Sequence, residues 1–156
     1  MAIKEVDIGK FEVAQEPDML YCPSIQENVV LAALNRDTAY MLNAYGLDAE
    51  HFSNEAQEFL NRVALSDPDD LRVLIYGAGY DLNRPREQTS ALRKAVEKTL
   101  RESDIDPNNI QEVRYTPNFK ELSILLVPEL GEYFIRESPI NDHARWEYSE
   151  SFDVDQ

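Results

Sequence analysis

The sequence has few of the residues from which disulfides, metal centres and most hydrolytic sites are built. Among its 156 residues there are one cysteine and two histidines. A single cysteine excludes a disulfide within the chain. Cys22, His51 and His143 could hold zinc only with the help of carboxylates. We therefore expect neither a structural metal nor a cofactor.

Basic residues are scarce as well. The chain has 15 lysines and arginines against 30 aspartates and glutamates, which gives a formal net charge of −15. Such a charge repels the phosphate backbone of nucleic acids and the surface of an anionic membrane. It suits either solubility alone or a protein partner with a basic surface. We therefore predict no nucleic-acid or membrane partner.

The sequence also lacks long apolar runs and a secretory signal, and both absences inform the expected cellular compartment. No run approaches the roughly 20 residues of a membrane-spanning helix. The opening MAIKEVDIGK lacks the basic-then-apolar layout of a secretory signal. We expect a cytoplasmic protein with one globular domain over residues 1–137. Residues 138–156 are predicted to be an acidic tail that carries Trp146, Tyr148 and Phe152. This tail is expected to be either a solvated terminus or a docking segment that becomes ordered on a partner or folds back onto its own domain.

The clearest secondary-structure signal in the sequence is LRVLIYGAGY, residues 71–80. Its apolar, β-branched first half predicts a central strand that is buried on both faces, with Leu74 fully enclosed. Gly77 and Gly79 would end that strand in a tight turn. A nucleotide-binding loop is disfavoured, because Leu82 stands where a dinucleotide fingerprint has Gly or Ala, and the P-loop lysine is missing.

Two further patterns lie before this strand. The apolar run from Asn28 to Leu34, a turn at residues 35–37 and a strand-like run from Thr38 to Asn43 predict a β-hairpin. An earlier strand is predicted over residues 10–14. Ser53 is a candidate N-cap for a helix over residues 53–65, because apolar residues then recur at three- and four-residue spacing.

A second helix is predicted over residues 86–102, with its five basic residues off its apolar face. Strand-like runs at residues 110–116, 122–127 and 133–135 follow closely and predict an antiparallel meander. Together these elements predict an α/β (α+β) sandwich. It would consist of a mixed or antiparallel sheet with two main helices packed against it.

Candidate catalytic residues are few. Cys22 is the only possible thiol nucleophile, and it would need His51 or His143 within hydrogen-bond reach as a base. A lone buried cysteine, however, is commonly part of a core. No Gly-x-Ser-x-Gly elbow is present for a serine hydrolase. We expect a cysteine enzyme only if Cys22 and His51 converge.

The order of elements resembles the chemoreceptor glutamine deamidase (CheD-like) family over roughly residues 10–136. The features that carry the resemblance are the early hairpin, a helix, a strand ending in YGAG, a helix after Arg84-Pro85-Arg86-Glu87, and the final strands. The resemblance implies an α/β sandwich and a role in chemotaxis. In that family a cysteine opens an apolar strand, a histidine follows on the next strand, and a threonine precedes the cysteine.

This sequence departs from the family pattern at each of these positions. Asn28 falls at the cysteine position, Asn43 near the histidine position, and Cys22 close to the threonine position. Tyr40 and Met41 replace a glycine pair that precedes the family's histidine. An amide is neither nucleophilic nor basic at neutral pH, so the resemblance implies a pseudoenzyme. We expect Asn28 and Asn43 to lie close together across the hairpin.

Three functional hypotheses follow from these features. The first is a non-catalytic cytosolic module that binds or regulates another protein on a CheD-like scaffold. The second is a glutamine deamidase-like cysteine amidohydrolase that uses Cys22 and His51. The third is an acidic mimic of nucleic acid that blocks a basic protein, although evenly spread charge would serve solubility equally well.

Overall fold

The fold is described from a computed structural model of the chain. It covers residues 1–25, 28–44, 49–65, 67–77, 98–113, 120–139 and 152–153. Helix α1 spans Ala49–Val63, and a second helix, α2, is described at residues 98–101. The strands of this part of the chain are β1 Ile3–Glu5, β2 Phe11–Gln15, β3 Met19–Ile25, β4 Val29–Asn35, β5 Thr38–Ala44, β6 Leu71–Gly77, β7 Ile110–Val113, β8 Lys120–Val127, β9 Glu132–Pro139 and β10 Phe152–Asp153.

These strands form two sheets of five strands each. Sheet A has the order β1-β3-β8-β9-β10, and sheet B has the order β2-β5-β4-β6-β7. The pairs β1–β3 and β6–β7 are parallel, and the other pairs are antiparallel. The predicted α+β sandwich with mixed strand pairing is therefore confirmed. The prediction of one sheet is corrected to two.

Three layers result, because sheet B is buried on both faces. Strand β4 is buried over its whole length. Val30, Ala32 and Leu34 point into a core shared with sheet A. Val29, Leu31 and Ala33 point into a second core that includes residues of α1 and Leu100 of α2. Alternate side chains face opposite sides of a strand, so one apolar run serves both cores.

Strand β6 confirms the predicted central strand in residues 71–80. It pairs with β4 on one side and β7 on the other, so it is an internal strand. Leu74 is 1 % exposed and lies in the core between the sheets, as predicted. Ile75 points to the helix side. The predicted turn through Gly79 lies outside the described residues.

The predicted terminal meander is wrong. Strand β7 lies in sheet B, parallel to β6, whereas β8 and β9 pair antiparallel in sheet A. Helix α2 lies between β6 and β7 in the sequence, and a helical crossover returns the chain parallel to the strand it left. The alternation of a strand does not reveal which sheet it joins, so three successive strand-like runs were consistent with one meander.

Strand β3 has no counterpart among the predicted elements. Its sequence, MLYCPSI, contains Pro23, and proline inside a run argues against a strand. The proline is accommodated at an irregularity in the strand pairing, since the register of β3 against β8 shifts between Cys22 and Ile25. Bulges of this kind are where strands accept proline. Cys22 therefore sits in a strand and not in a connecting loop.

Helix α1 begins at Ala49, so Ser53 lies inside the helix and is not its N-cap. The predicted start followed the buried stripe that begins at Ala56 and continues through Phe59 and Val63. Such a stripe marks only the packed face of a helix and not its first turn. Of the second predicted helix, residues 98–101 are helical and residues 86–97 lie outside the described residues.

Candidate functional site

The first hairpin brings Asn28 and Asn43 into direct contact. Strands β4 and β5 pair with Val29 opposite Ala44 and Val30 opposite Asn43. The Nδ2 atom of Asn28 donates a hydrogen bond of 2.6 Å to Oδ1 of Asn43. Both side chains are buried. The predicted proximity of these two residues is confirmed, since hairpin register fixes which ends of the two strands meet.

Cys22 completes the group, which we call the asparagine–cysteine cluster (Asn28, Asn43 and Cys22). The Nδ2 atom of Asn43 donates to Cys22 Sγ at 3.2 Å and to the carbonyl oxygen of Val6 at 3.1 Å. Cys22 is fully buried in the core between the sheets. The cluster therefore joins sheet A, sheet B and the segment that follows β1.

The backbone around Asn43 strengthens this junction. The Gly9 amide donates to the Asn43 carbonyl at 2.8 Å, and the Asn43 amide donates to the Lys10 carbonyl at 3.0 Å. The Val6 amide donates to the Tyr21 carbonyl at 2.8 Å. Asn43 thus contacts the 6–10 segment through both its backbone and its side chain. A buried side-chain network of this kind fixes one packing arrangement, because a shifted register would leave its donors unpaired.

The cluster has little capacity for nucleophilic chemistry. Burial, with smaller effects from Glu5 and Asp7, raises the pKa of the Cys22 thiol from about 9 to about 12. The thiol is therefore protonated at neutral pH, and it donates weakly to the Pro23 carbonyl at 3.8 Å. The neighbouring amides cannot take its proton. Reactive cysteines need the opposite environment, with a lowered pKa and solvent access.

The arrangement of layers gives no support to a pair between Cys22 and His51. His51 belongs to the first turns of α1. That helix packs on the outer face of sheet B through Ala56, Phe59 and Val63, whereas Cys22 lies on the inner face. The His51 side chain and all of His143 lie outside the described residues. The candidate base is therefore on an element that belongs to a different layer from the thiol.

A second feature is an open groove of about 630 Å³ between α1 and the 99–109 segment. Its apolar lining includes Leu60 and Ile105, and its polar lining includes Glu102, Asp104 and Asp106. The volume is within the range of small-ligand clefts. Carboxylates beside apolar surface favour a group that is cationic and partly apolar. Sequence reasoning missed the groove, because two segments far apart in the chain form it.

No model of a known protein family matches the chain. No curated protein matches it at a significant level either. The resemblance to the CheD-like deamidases therefore rests on the order of elements and on the positions of Asn28 and Asn43, and it stays a prediction.

Among the described residues, no three or more histidine, cysteine, aspartate or glutamate side chains come together in a way that could hold a metal ion. Neither α1 nor the described turns of α2 are long and apolar enough to span a bilayer.

Proposed function

We propose that this chain is a non-catalytic protein-binding or regulatory module on a scaffold similar to that of the CheD-like deamidases. The observation that carries the proposal is the 2.6 Å hydrogen bond between Asn28 and Asn43. By the resemblance, Asn28 falls at the family's cysteine position and Asn43 near its histidine position. Two amides occupy the place where the reaction would need a thiolate and an imidazole.

The environment of the pair supports a loss of the reaction. A deamidase must admit a glutamine side chain to its nucleophile, but Asn28 and Asn43 are 4 % and 2 % exposed. Asn43 already uses its amide hydrogens on Val6 and Cys22. With both amide hydrogens engaged, the Asn43 side chain has no free donor with which to orient a substrate. The hairpin therefore serves packing, and binding would take place elsewhere.

The charge of the molecule supports a partner with a basic surface. The chain carries −15 overall, and carboxylates line the groove beside α1. Opposite charge on a partner raises the rate of encounter and suppresses wrong partners. We expect the association to weaken with salt, because exposed charges more than about 8–10 Å apart are screened at physiological ionic strength.

The test offers the full-length protein a glutamine-bearing cytoplasmic fragment of a chemoreceptor. Calorimetry measures binding, and a coupled assay measures release of ammonia. We expect saturable binding with no ammonia. Binding should be weaker for the triple variant Glu102→Gln, Asp104→Asn, Asp106→Asn. It should be unchanged for the matched variant Glu5→Gln, Glu16→Gln, Glu129→Gln, whose exposed carboxylates lie away from the groove.

Two results would count against the proposal. Ammonia release that disappears in Cys22→Ser would favour the cysteine amidohydrolase hypothesis, and release that survives this substitution would reveal an unrecognised site. Absence of any binding to the receptor fragment would remove the support for a CheD-like partner. An equal loss of binding in both triple variants would show that net charge acts and that the groove does not.

A further inference from the structure

The outer edge of β9 holds a short strand from the C-terminal segment. All eight residues of β9, Glu132–Pro139, pair with β8 on the inner side. On the outer side, β10 pairs antiparallel with Phe152 opposite Ile135 and Asp153 opposite Phe134. This segment belongs to residues 138–156, which the sequence predicts to be an acidic tail. The described part of that tail therefore adds a strand to sheet A.

The strand β10 makes a weak occupant of this edge. Its described pairing spans two residues, whereas strands in globular proteins have about 5–6. Each backbone hydrogen bond in such a ladder contributes only a small net stabilisation. Residues 146–156, WEYSESFDVDQ, carry four carboxylates and no basic residue. Attached to a chain of net charge −15, this segment is also repelled by the rest of the molecule.

We propose that the outer edge of β9 is a docking site at which an extended segment of a protein partner adds to sheet A in place of β10. This inference rests on the proposed protein-binding function and adds a second contact surface to the groove beside α1. The edge accepts a strand in this register, because it already holds one. Backbone hydrogen bonds supply affinity in strand addition, and the side chains at alternate positions supply specificity.

The same register defines the chemistry of the partner segment. Ile135 points into the core between the sheets and is 5 % exposed. A residue paired with Ile135 lies on the same face of the sheet, so an apolar side chain is favoured at that position. Basic residues on either side of it would be attracted by the acidic protein, whereas the acidic flanks of β10 are repelled. The fitting partner is an extended, basic segment with one apolar residue opposite Ile135.

The experiment opens the edge in the full-length protein by the substitution Phe152→Pro. Proline lacks the amide hydrogen and is poorly tolerated within a paired strand. The probe is a fluorescent peptide with the sequence of residues 146–156, titrated by anisotropy. We expect it to bind Phe152→Pro and to bind the unchanged protein at least about tenfold more weakly, since the tethered β10 competes at millimolar effective concentration. A peptide with its four carboxylates replaced by lysine should bind both proteins more tightly.

The matched control is Glu147→Pro, which places proline in the same segment outside the two paired residues. It should bind the peptide as weakly as the unchanged protein does. Amide exchange along β9 should quicken in Phe152→Pro and not in Glu147→Pro, which shows that the edge has opened while the rest of the sheet persists. Asp153→Pro provides a second opening variant if Phe152→Pro folds poorly.

Three outcomes would overturn the inference. One is an opened edge, shown by faster exchange, that captures no peptide. Another is equal binding to the opened variant and the unchanged protein. The third is self-association of the opened variant without peptide capture, which would mean that β10 serves only to cover an aggregation-prone edge. Because the probe peptide comes from the chain itself, failure here leaves the receptor-fragment test of the proposed function unaffected.

Discussion

Replacing Asn43 with alanine tests whether the asparagine–cysteine cluster holds the two sheets together. The substitution removes the side-chain hydrogen bonds to Asn28, Val6 and Cys22. It leaves Nδ2 of Asn28 and the Val6 carbonyl buried without those partners, and each such group costs about 1–3 kcal/mol. We therefore expect Asn43→Ala to lower the free energy of unfolding by about 2–6 kcal/mol, a large part of a typical total of about 5–15 kcal/mol.

Urea denaturation followed by circular dichroism measures this loss. A double-mutant cycle with Asn28→Ala should give a coupling energy of about 0.5–3 kcal/mol, because the two residues contact each other. The control is Asn61→Ala, since the exposed Asn61 accepts a hydrogen bond from Gln57 on the surface of α1. This control should change stability by no more than about 0.5 kcal/mol. A loss below about 1 kcal/mol for Asn43→Ala, or a coupling energy near zero, would refute a structural role for the cluster.

Three further predictions concern stability. Leu74→Ala should cost about 2–5 kcal/mol in urea denaturation through lost burial and a cavity, and a loss below about 1 kcal/mol would show that the core is misplaced. Burial raises the pKa of Cys22 to about 12 in the folded protein, so the Cys22 thiol ionises at lower pH in the unfolded chain than in the folded one. The free energy of unfolding should therefore fall as pH rises above about 9, by up to about 1.4 kcal/mol per pH unit. Unfolding of Cys22→Ser should lack this part of the slope, and identical slopes would contradict the burial of the thiol. Arg36 has a positive φ of 53° and pairs at the surface with Asp67 and Asp70, so Arg36→Gly should be at least as stable in urea as Arg36→Ala, because glycine adopts this φ without strain.

The parts of the fold that could be predicted from the sequence are those with a complete local signal. The hairpin has an apolar run, a two-residue turn and a second strand, and its register follows from the turn. The prediction that Asn28 lies beside Asn43 combined this hairpin with the resemblance, by which the two asparagines fall at the family's cysteine position and near its histidine position. Strand β6 was predictable because residues 71–76 are apolar except Arg72, include β-branched residues and are followed by Gly77, a combination typical of a strand that is buried on both faces.

The missed features depend on contacts between distant segments. Strand β3 was not predicted because it contains Pro23. The bulge that accommodates this proline depends on the pairing of β3 with β8 and not on the local sequence. The sheet to which β7 belongs is decided by the crossover from β6. The contact of Cys22 with Asn43 could not be expected without β3, since it requires the two sheets to face each other. Asn43 is a polar residue at an inward position of the otherwise apolar β5 run. This position was the sequence signal that Asn43 needs a buried hydrogen-bond partner.

The asparagine–cysteine cluster is buried, whereas the proposed contact surfaces, the groove beside α1 and the outer edge of β9, must be accessible to a partner. A nucleophile must be exposed and ionisable, but Cys22 is fully buried with a raised pKa, and opening the cluster would unpair Asn28 and Asn43 together. The interior of the hairpin therefore serves stability, and under the proposed function recognition falls to elements whose contacts can be exchanged. The strand β10 is such an element, because its described pairing with β9 spans two residues and is lost more easily than the pairing of the longer strands. Substitution of Asn43 should accordingly alter stability more than binding, and substitution of Phe152 should alter binding more than stability.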